Sequence, residues 1–233
     1  VGLTYAKGLS LSTGLPLSPI NHLEGHALTP LLTDNIDFPY ILLLISGGHS
    51  QLLVIEELGK YHQLGTTLDD AVGEAFDKGA KFMGLGYPGG PALEKLAKKG
   101  DEKAFSLPRP LIGHDNCNFS FSGLKTALIR LSRKLEPVDQ ITKINIAASY
   151  QKAIIECLVD RTKNSITLSK KIHPLLMTRG VPGTHDINIM LDFFKKSKSR
   201  KFKPFKLPKF NKAIDDRCKK NQWYTLKKRP DVI

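Results

Sequence analysis

The chain has 233 residues, 41% hydrophobic and 24% charged, which suits a globular protein with enough apolar content for a core and argues against a disordered or fibrous one. The longest apolar run, Tyr40–Ile45, is too short to span a bilayer, and no N-terminal stretch has the basic start, apolar middle and small-residue cleavage site of a secretory signal. Cys117, Cys157 and Cys218 are far apart and form no Cys-x-x-Cys pair, which argues against a zinc ribbon or a disulfide framework and makes a reducing cytoplasm the expected compartment.

The net charge of +13 is unevenly placed. Residues 1–165 carry 17 Lys/Arg and 17 Asp/Glu, whereas residues 166–233 carry 18 Lys/Arg and 5 Asp, so the whole excess sits in the last 68 residues. Any nucleic-acid affinity drawn from charge must therefore rest on that tail. Val1 stands where an initiator Met would, the start expected of a piece of a longer protein.

Taken in chain order, Leu3, Ala6 and Leu9 recur at helical spacing and stop at Thr13-Gly14. Asn21 followed by Glu24 reads as a capping box that starts a helix at His22. Phe38 to Ile45 is a continuous apolar run, a buried strand; Gly47-Gly48 breaks it, and Gln51 to Ile55 is a second strand, so the unit reads as a β-hairpin with a glycine turn. Asp69-Asp70 is expected to cap an amphipathic helix running to about Leu85, with Ala71, Val72, Ala75, Phe76, Phe82 and Met83 within one arc of about 140°. Pro88-Gly89-Gly90-Pro91 reads as a tight loop, and a helix is expected over residues 92–99. Residues 100–122 read as an irregular link, and Leu124–Leu135 and Val138–Asn164 as helices. Beyond Ile166 the pattern degrades, and residues 191–210 mix Lys and Phe without a clean period.

Four constellations could carry chemistry. His22 and His26, four apart at a helix start, project both imidazoles from one face. That spacing suits two ligands of one transition metal, and equally two ordinary surface histidines. Glu24 lies about 200° round the helix from His22 and cannot act as a base at the same site. Ser46-Gly47-Gly48-His49-Ser50 could offer backbone N–H groups to a phosphate or be a plain hairpin turn; no Lys follows, so it is not a Walker loop. Asp77 lies opposite the apolar arc, beside Asp70, Glu74 and Lys81, on a face that is either solvated or lines a cleft and binds a ribose hydroxyl. Tyr87-Pro88-Gly89-Gly90-Pro91 is a turn whose glycine backbone could also pack against a nucleotide.

Each signal is weak alone, but their order is specific. Asn-His-Leu-Glu-Gly-His (21–26), Leu-Ile-Ser-Gly-Gly-His-Ser-Gln (44–51), Asp-Asp-Ala-Val-Gly-Glu-Ala-Phe-Asp-Lys (69–78), Tyr-Pro-Gly-Gly-Pro (87–91) and Phe-Ser-Phe-Ser-Gly-Leu-Lys-Thr-Ala (119–127) together resemble the TsaD (Gcp, or glycoprotease) family from Val1 to about Ser165, with a bacterial, alphaproteobacterial or mitochondrial flavour. The resemblance implies an α/β fold of the actin/Hsp70/sugar-kinase (ASKHA) type, incomplete here. It also implies a transferase that moves the threonylcarbamoyl group from threonylcarbamoyl-AMP to the adenosine 3′ of the anticodon in tRNAs reading codons that begin with A. By position, His22 and His26 match the family's metal-binding histidines. Leu44, Ile45, Ser46, Gly47 and Gly48 match its substrate loop, and Asp77 and Gly90 match further substrate contacts. One divalent metal ion, iron or zinc, is implied, as are tRNA, threonylcarbamoyl-AMP, a TsaB-like paralogue and a TsaE-like P-loop ATPase as partners. No membrane association is implied, and the face around residues 1–12 is the expected partner contact.

The sequence also departs from the family pattern. The family's Gly-Ile-Glu-Thr-Ser-Cys-like start and its late Cys-Thr-Asp-Asn-Gly motif, which supplies a third metal ligand, have no counterpart in residues 1–233, and Leu176–Thr184 is a faint echo of an Ala-Gly-Gly-Val-x-Ala-Asn loop. The expected division is therefore a TsaD-like segment at 1–166 and a basic, diverged, poorly ordered tail at 167–233, with activity impaired in this chain. That tail reads as a divergent or out-of-frame continuation, or as an extension gripping tRNA phosphates. Competing functions are a metalloendopeptidase (glycoprotease), a small-molecule kinase or ATPase of the same superfamily, and an inactive nucleic-acid-binding relative.

Overall fold

The computed structural model describes residues 1–33 and 36–169, and the backbone of 175–179. The described residues divide into two compact units, one within 1–36 and the other starting at Asp37.

The first unit holds two helices. Helix α1 (Gly2–Thr13) ends at Gly14, whose φ of 70° is the left-handed conformation that glycine adopts without strain at a helix C-terminus. None of its residues is buried, and Leu3, Tyr5, Leu9 and Leu11 are exposed. Helix α2 (His22–Thr33) starts as the Asn21 signal predicts: the side-chain Oδ1 accepts from the Leu23 N–H at 2.9 Å and the Glu24 N–H at 3.4 Å.

The second unit is α/β. Strands β1 (Tyr40–Ile45), β2 (Ser50–Glu57), β3 (Lys60–Thr66) and β4 (Leu175–Arg179) form one sheet in the order β3-β2-β1-β4. Strand β1 is antiparallel to β2, from Tyr40↔Ile55 to Ile45↔Ser50, and parallel to β4, from Ile41↔Leu175 to Ile45↔Arg179. A strand flanked on both sides and covered on both faces needs apolar residues throughout, and all six residues of β1 are buried. Strand β3 escapes the sequence reading because it is largely solvent-facing and polar, Lys-Tyr-His-Gln; the turn at Gly59, φ 78°, folds it back on β2. Strand β4 falls within the segment assigned from sequence to the tail; the other tail residues from 170 onward lie outside the described residues.

Helices α3 (Val72–Phe82), α4 (Gly89–Ala97), α5 (Ser122–Lys134) and α6 (Gln140–Leu168) complete the unit. They share one core with Ile41, Leu43, Ile45, Leu52 and Val54 of the sheet. Three expectations are corrected. Asp69-Asp70 does not cap α3: the N-cap is Ala71, and the Val72 N–H bonds the buried Ser50 hydroxyl at 2.9 Å. Asp69 instead caps α5, because the link at residues 100–122 brings Ser120, Phe121 and Ser122 back to it. Phe82 does not belong to the buried face of α3, being 37% exposed; the helix turns its small residues Gly73, Gly79 and Ala80 inward instead. Gly89-Gly90-Pro91 is not a loop but the first turn of α4, where proline's missing N–H costs no intrahelical bond.

Candidate functional site

The second unit gathers most of the candidate substrate residues. Strand β1 delivers Leu44 and Ile45 fully buried, so these two can meet a ligand only through their backbone at the strand's end. Ile45 pairs with Arg179, so the turn after it leaves the sheet at the carboxyl end of the parallel β1/β4 pair, the edge where α/β sheets commonly bind ligands.

The turn is internally bonded. The Ser46 N–H donates to the His49 carbonyl at 2.8 Å, closing the hairpin. The Ser46 Oγ accepts the His49 N–H at 2.9 Å and the Gly48 N–H at 3.3 Å, and lies 3.4 Å from His49 Nδ1. Two of the amides that the sequence reading offers to a phosphate are therefore held by the serine hydroxyl, which an incoming anion would have to share or displace. Gly48 faces open space.

Beneath the turn lies the first turn of α3. A Cβ built on Gly73 would sit 2.8 Å from the Gly47 Cα and 2.8 Å from the Ser46 carbonyl oxygen. One helical turn further, Asp77 Oδ1 accepts the Gly89 N–H at 3.0 Å and so caps α4 from outside. Gly89 also approaches closely, since a Cβ there would lie 2.8 Å from the Asp77 Cα. Gly90, the next residue, is buried. Ser46, Gly47, Asp77 and the Gly89-Gly90 start of α4 are thus assembled along one strip of α3, because residues four apart in a helix share a face. Asp77 is half-buried and engaged with a neighbouring helix rather than standing on a solvated face.

The fifth motif is tied to the same helix. Asp69 Oδ1 accepts the N–H groups of Phe121 (2.7 Å) and Ser122 (3.1 Å), and Oδ2 accepts the hydroxyls of Ser120 (2.6 Å) and Ser122 (2.8 Å). Burial by itself raises the Asp69 pKa, but these four donors outweigh it and hold the carboxyl below the usual Asp range. Asp70 takes Lys78 at 2.7 Å and has Lys125 at 3.8 Å. Sequence reasoning did not single out Gly73, and it read Ser50 as part of the glycine turn rather than as the cap of α3. An isolated glycine inside a strongly amphipathic helix was the available signal for the first.

His22 and His26 lie in the first unit. Their rings meet edge to face with centroids 4.6 Å apart, so the four-residue spacing does bring the imidazoles together. As a donor set, two adjacent imidazoles fit iron or zinc. Among the described residues no group of three or more His, Cys, Asp or Glu is placed to hold a metal ion, so a third protein ligand is not found there.

A family model described as TsaD, tRNA N6-adenosine threonylcarbamoyltransferase, matches residues 1–208. The chain belongs to this family. It is 47% identical over 203 residues to the tRNA N6-adenosine threonylcarbamoyltransferase of Erythrobacter litoralis (strain HTCC2594), covering 87% of this chain and 58% of that relative. It is 52% identical over 174 residues to the protein of the same name from Brucella suis (strain ATCC 23445 / NCTC 10510), covering 75% and 48%. The chain spans about half the length of the curated relatives it matches. The TsaD match runs past Ser165, where the sequence reading ends the resemblance, to residue 208. A superposition on component A of the Acidaminococcus fermentans (R)-2-hydroxyglutaryl-CoA dehydratase covers 84% of this chain and 65% of that one at 17% identity and a TM-score of 0.46, too loose to bear on the fold. No helix among the described residues is long and apolar enough to cross a membrane.

Proposed function

We propose that this TsaD-family chain carries part of the adenylate-handling half of a tRNA threonylcarbamoyl transferase with an ASKHA architecture, acting in the cytoplasm. The observation that carries the reading is the strip on α3. Family membership supplies the substrate class, and the strip brings the glycine turn, Asp77 and the start of α4 together as a substrate-binding surface would require.

In this reading the Ser46-Gly47-Gly48 turn, with the backbone of Leu44 and Ile45, receives the anhydride phosphate of threonylcarbamoyl-AMP. The free oxygen of Asp77 takes a ribose hydroxyl while its partner oxygen keeps Gly89, and Gly90 packs against the nucleoside. His22 and His26 hold the divalent metal, with a further donor from outside the described residues. When bound, that ion supplies Lewis-acid polarisation of substrate oxygens. The adenosine amine of tRNA attacks the carbamoyl carbon and AMP departs. The proposed division sets the basic tail at 167–233, although the TsaD match runs on within it to residue 208. The TsaB-like paralogue and the TsaE-like ATPase are the proposed partners, with the exposed Leu3, Tyr5, Leu9 and Leu11 of α1 as the contact. The transferase names of the relatives favour this reading over the endopeptidase one.

The test is direct. The purified chain is incubated with threonylcarbamoyl-AMP, a tRNA reading A-starting codons and iron or zinc, with and without the two partners, and the digested tRNA is examined by mass spectrometry for threonylcarbamoyladenosine. Formation of the modified nucleoside, lost together with bound metal in His22→Ala and His26→Ala, is the expected result. No AMP or threonylcarbamoyl-AMP binding by a folded, metal-loaded chain would overturn the proposal.

A further inference from the structure

We infer that Gly73 and Ser50 are positioning residues that seat the Ser46–Gly48 turn on α3 at a fixed height beside Asp77. This rests on the adenylate-handling reading above for its functional meaning, though not for its geometry.

Gly73 is the second residue of α3 and has no positive φ, so its backbone would accept alanine. Alanine would favour an exposed helix by about 1 kcal/mol over glycine, so local propensity argues against the residue found. What requires glycine is contact: a Cβ would meet the Gly47 Cα at 2.8 Å, the Ser46 carbonyl oxygen at 2.8 Å and the Gly47 nitrogen at 3.2 Å. All three obstacles are backbone atoms of the turn itself, which cannot rotate away as a side chain can. Ser50 fastens the other end. Fully buried at the start of β2, it accepts the Val72 N–H at 2.9 Å and so joins the strand that leaves the turn to the helix beneath it. The turn is thus held by a backbone contact on one side and a helix cap on the other. Gly73 and Asp77 are four residues apart, about 6 Å along the helix axis, which sets the separation between the turn and the Asp77–Gly89 junction.

The experiment uses the whole chain and amide hydrogen exchange at Gly48 and His49, read by NMR. Gly79→Ala is the control for crowding: it lies on the same helix, and its Cβ would meet the Tyr150 ring at 2.7 Å, far from the turn's backbone. Expected are exchange of both amides faster by about tenfold, or about 1.4 kcal/mol, in Gly73→Ala and Ser50→Ala, and wild-type exchange in Gly79→Ala and Ser50→Thr. Affinity for AMP, measured by calorimetry on the same samples, should fall by a similar factor in the first two only. Unchanged exchange in Gly73→Ala, or equal acceleration in Gly79→Ala, would overturn the inference. A wild-type chain that shows the exchange pattern but has no affinity for AMP would support the positioning role and count against the adenylate reading alone.

Discussion

Asp69 offers the sharpest energetic test of how the second unit is joined. Its carboxylate takes four donors from three successive residues, and two of them, the Phe121 and Ser122 N–H groups, are among the unpaired amides at the start of α5. Bonds to a charged acceptor are worth about 1.5–3 kcal/mol each when shielded, but Asp69 is exposed and solvent competes for it, which pulls the total well below their sum. Loss of a helix cap costs about 0.5–2 kcal/mol, and the Phe121 side of the junction is buried, so Asp69→Ala should destabilise by about 2 kcal/mol. Asp69→Asn keeps an acceptor for both amides and lets the two serine hydroxyls reorient, so about half that loss is expected. Because the folded pKa is depressed, the charge-dependent part of this stability is fully present above the unfolded value of about 3.9 and is lost as pH falls through the lower folded value. Urea titrations followed by far-ultraviolet circular dichroism give the difference as a shift of midpoint at constant slope. If Asp69→Asn matched the wild type at neutral pH, or if the gap did not close on acidification, the account of this junction would be wrong.

Other expectations follow from single contacts. Gly65→Ala would drive a Cβ into the Cys117 carbonyl; overpacking against a backbone atom should cost about 3 kcal/mol, the upper end of the usual range, read by the same titration. Arg161 is buried, pairs with Asp160, and donates to the carbonyls of His114 and Asn116 at 2.8 Å each; because the Asn164 side-chain amide also donates to both carbonyls, Arg161→Met should cost about 2 kcal/mol, from the lost charged bonds rather than from orphaned acceptors. Burial pushes the Cys157 thiol up to about 12, with Arg109 and Arg161 only partly opposing it, so iodoacetamide at mildly alkaline pH should leave Cys157 unmodified until urea unfolds the chain, as peptide mass mapping would show.

Much of this fold was legible because it follows from periodicity. The buried run at Tyr40–Ile45, the diglycine hairpin, the Asn21 cap and the helices near 124–135 and 138–164 each answer to a local rule, and the structure places them within a few residues of where the sequence did. What the sequence did not reveal is non-local. Asp69-Asp70 stands directly before a helix and looks like its cap, yet the donors that claim Asp69 lie some fifty residues away at 120–122. Ser50, which does cap α3, sits 22 residues upstream in a strand. Gly-Gly-Pro reads as a loop because both residue types break helix interiors, but at a first turn neither is penalised in the same way. The histidine spacing correctly predicted adjacent rings, since that is a property of one helix; the third metal ligand that the resemblance implies belongs to a Cys-Thr-Asp-Asn-Gly motif with no counterpart in residues 1–233, and none is found among the described residues.

The same distinction explains why α3 has its particular sequence. One side of the helix must bury Val72, Ala75, Phe76 and Ala80 in the core, which any amphipathic helix can do. The adjoining strip has two further obligations: no side chain at 73, where the turn's backbone lies, and an acceptor at 77, where the Gly89 amide points. A spacing of three or four residues keeps both on a common face of a helix, and four is the one found here. Inserting a single residue between them would rotate Asp77 by about 100° around the axis, taking the carboxylate away from Gly89 even if every hydrophobic contact on the N-terminal side survived. The Gly-x-x-x-Asp spacing therefore couples two connections that a core-packing argument treats as unrelated, the glycine turn after β1 and the start of α4.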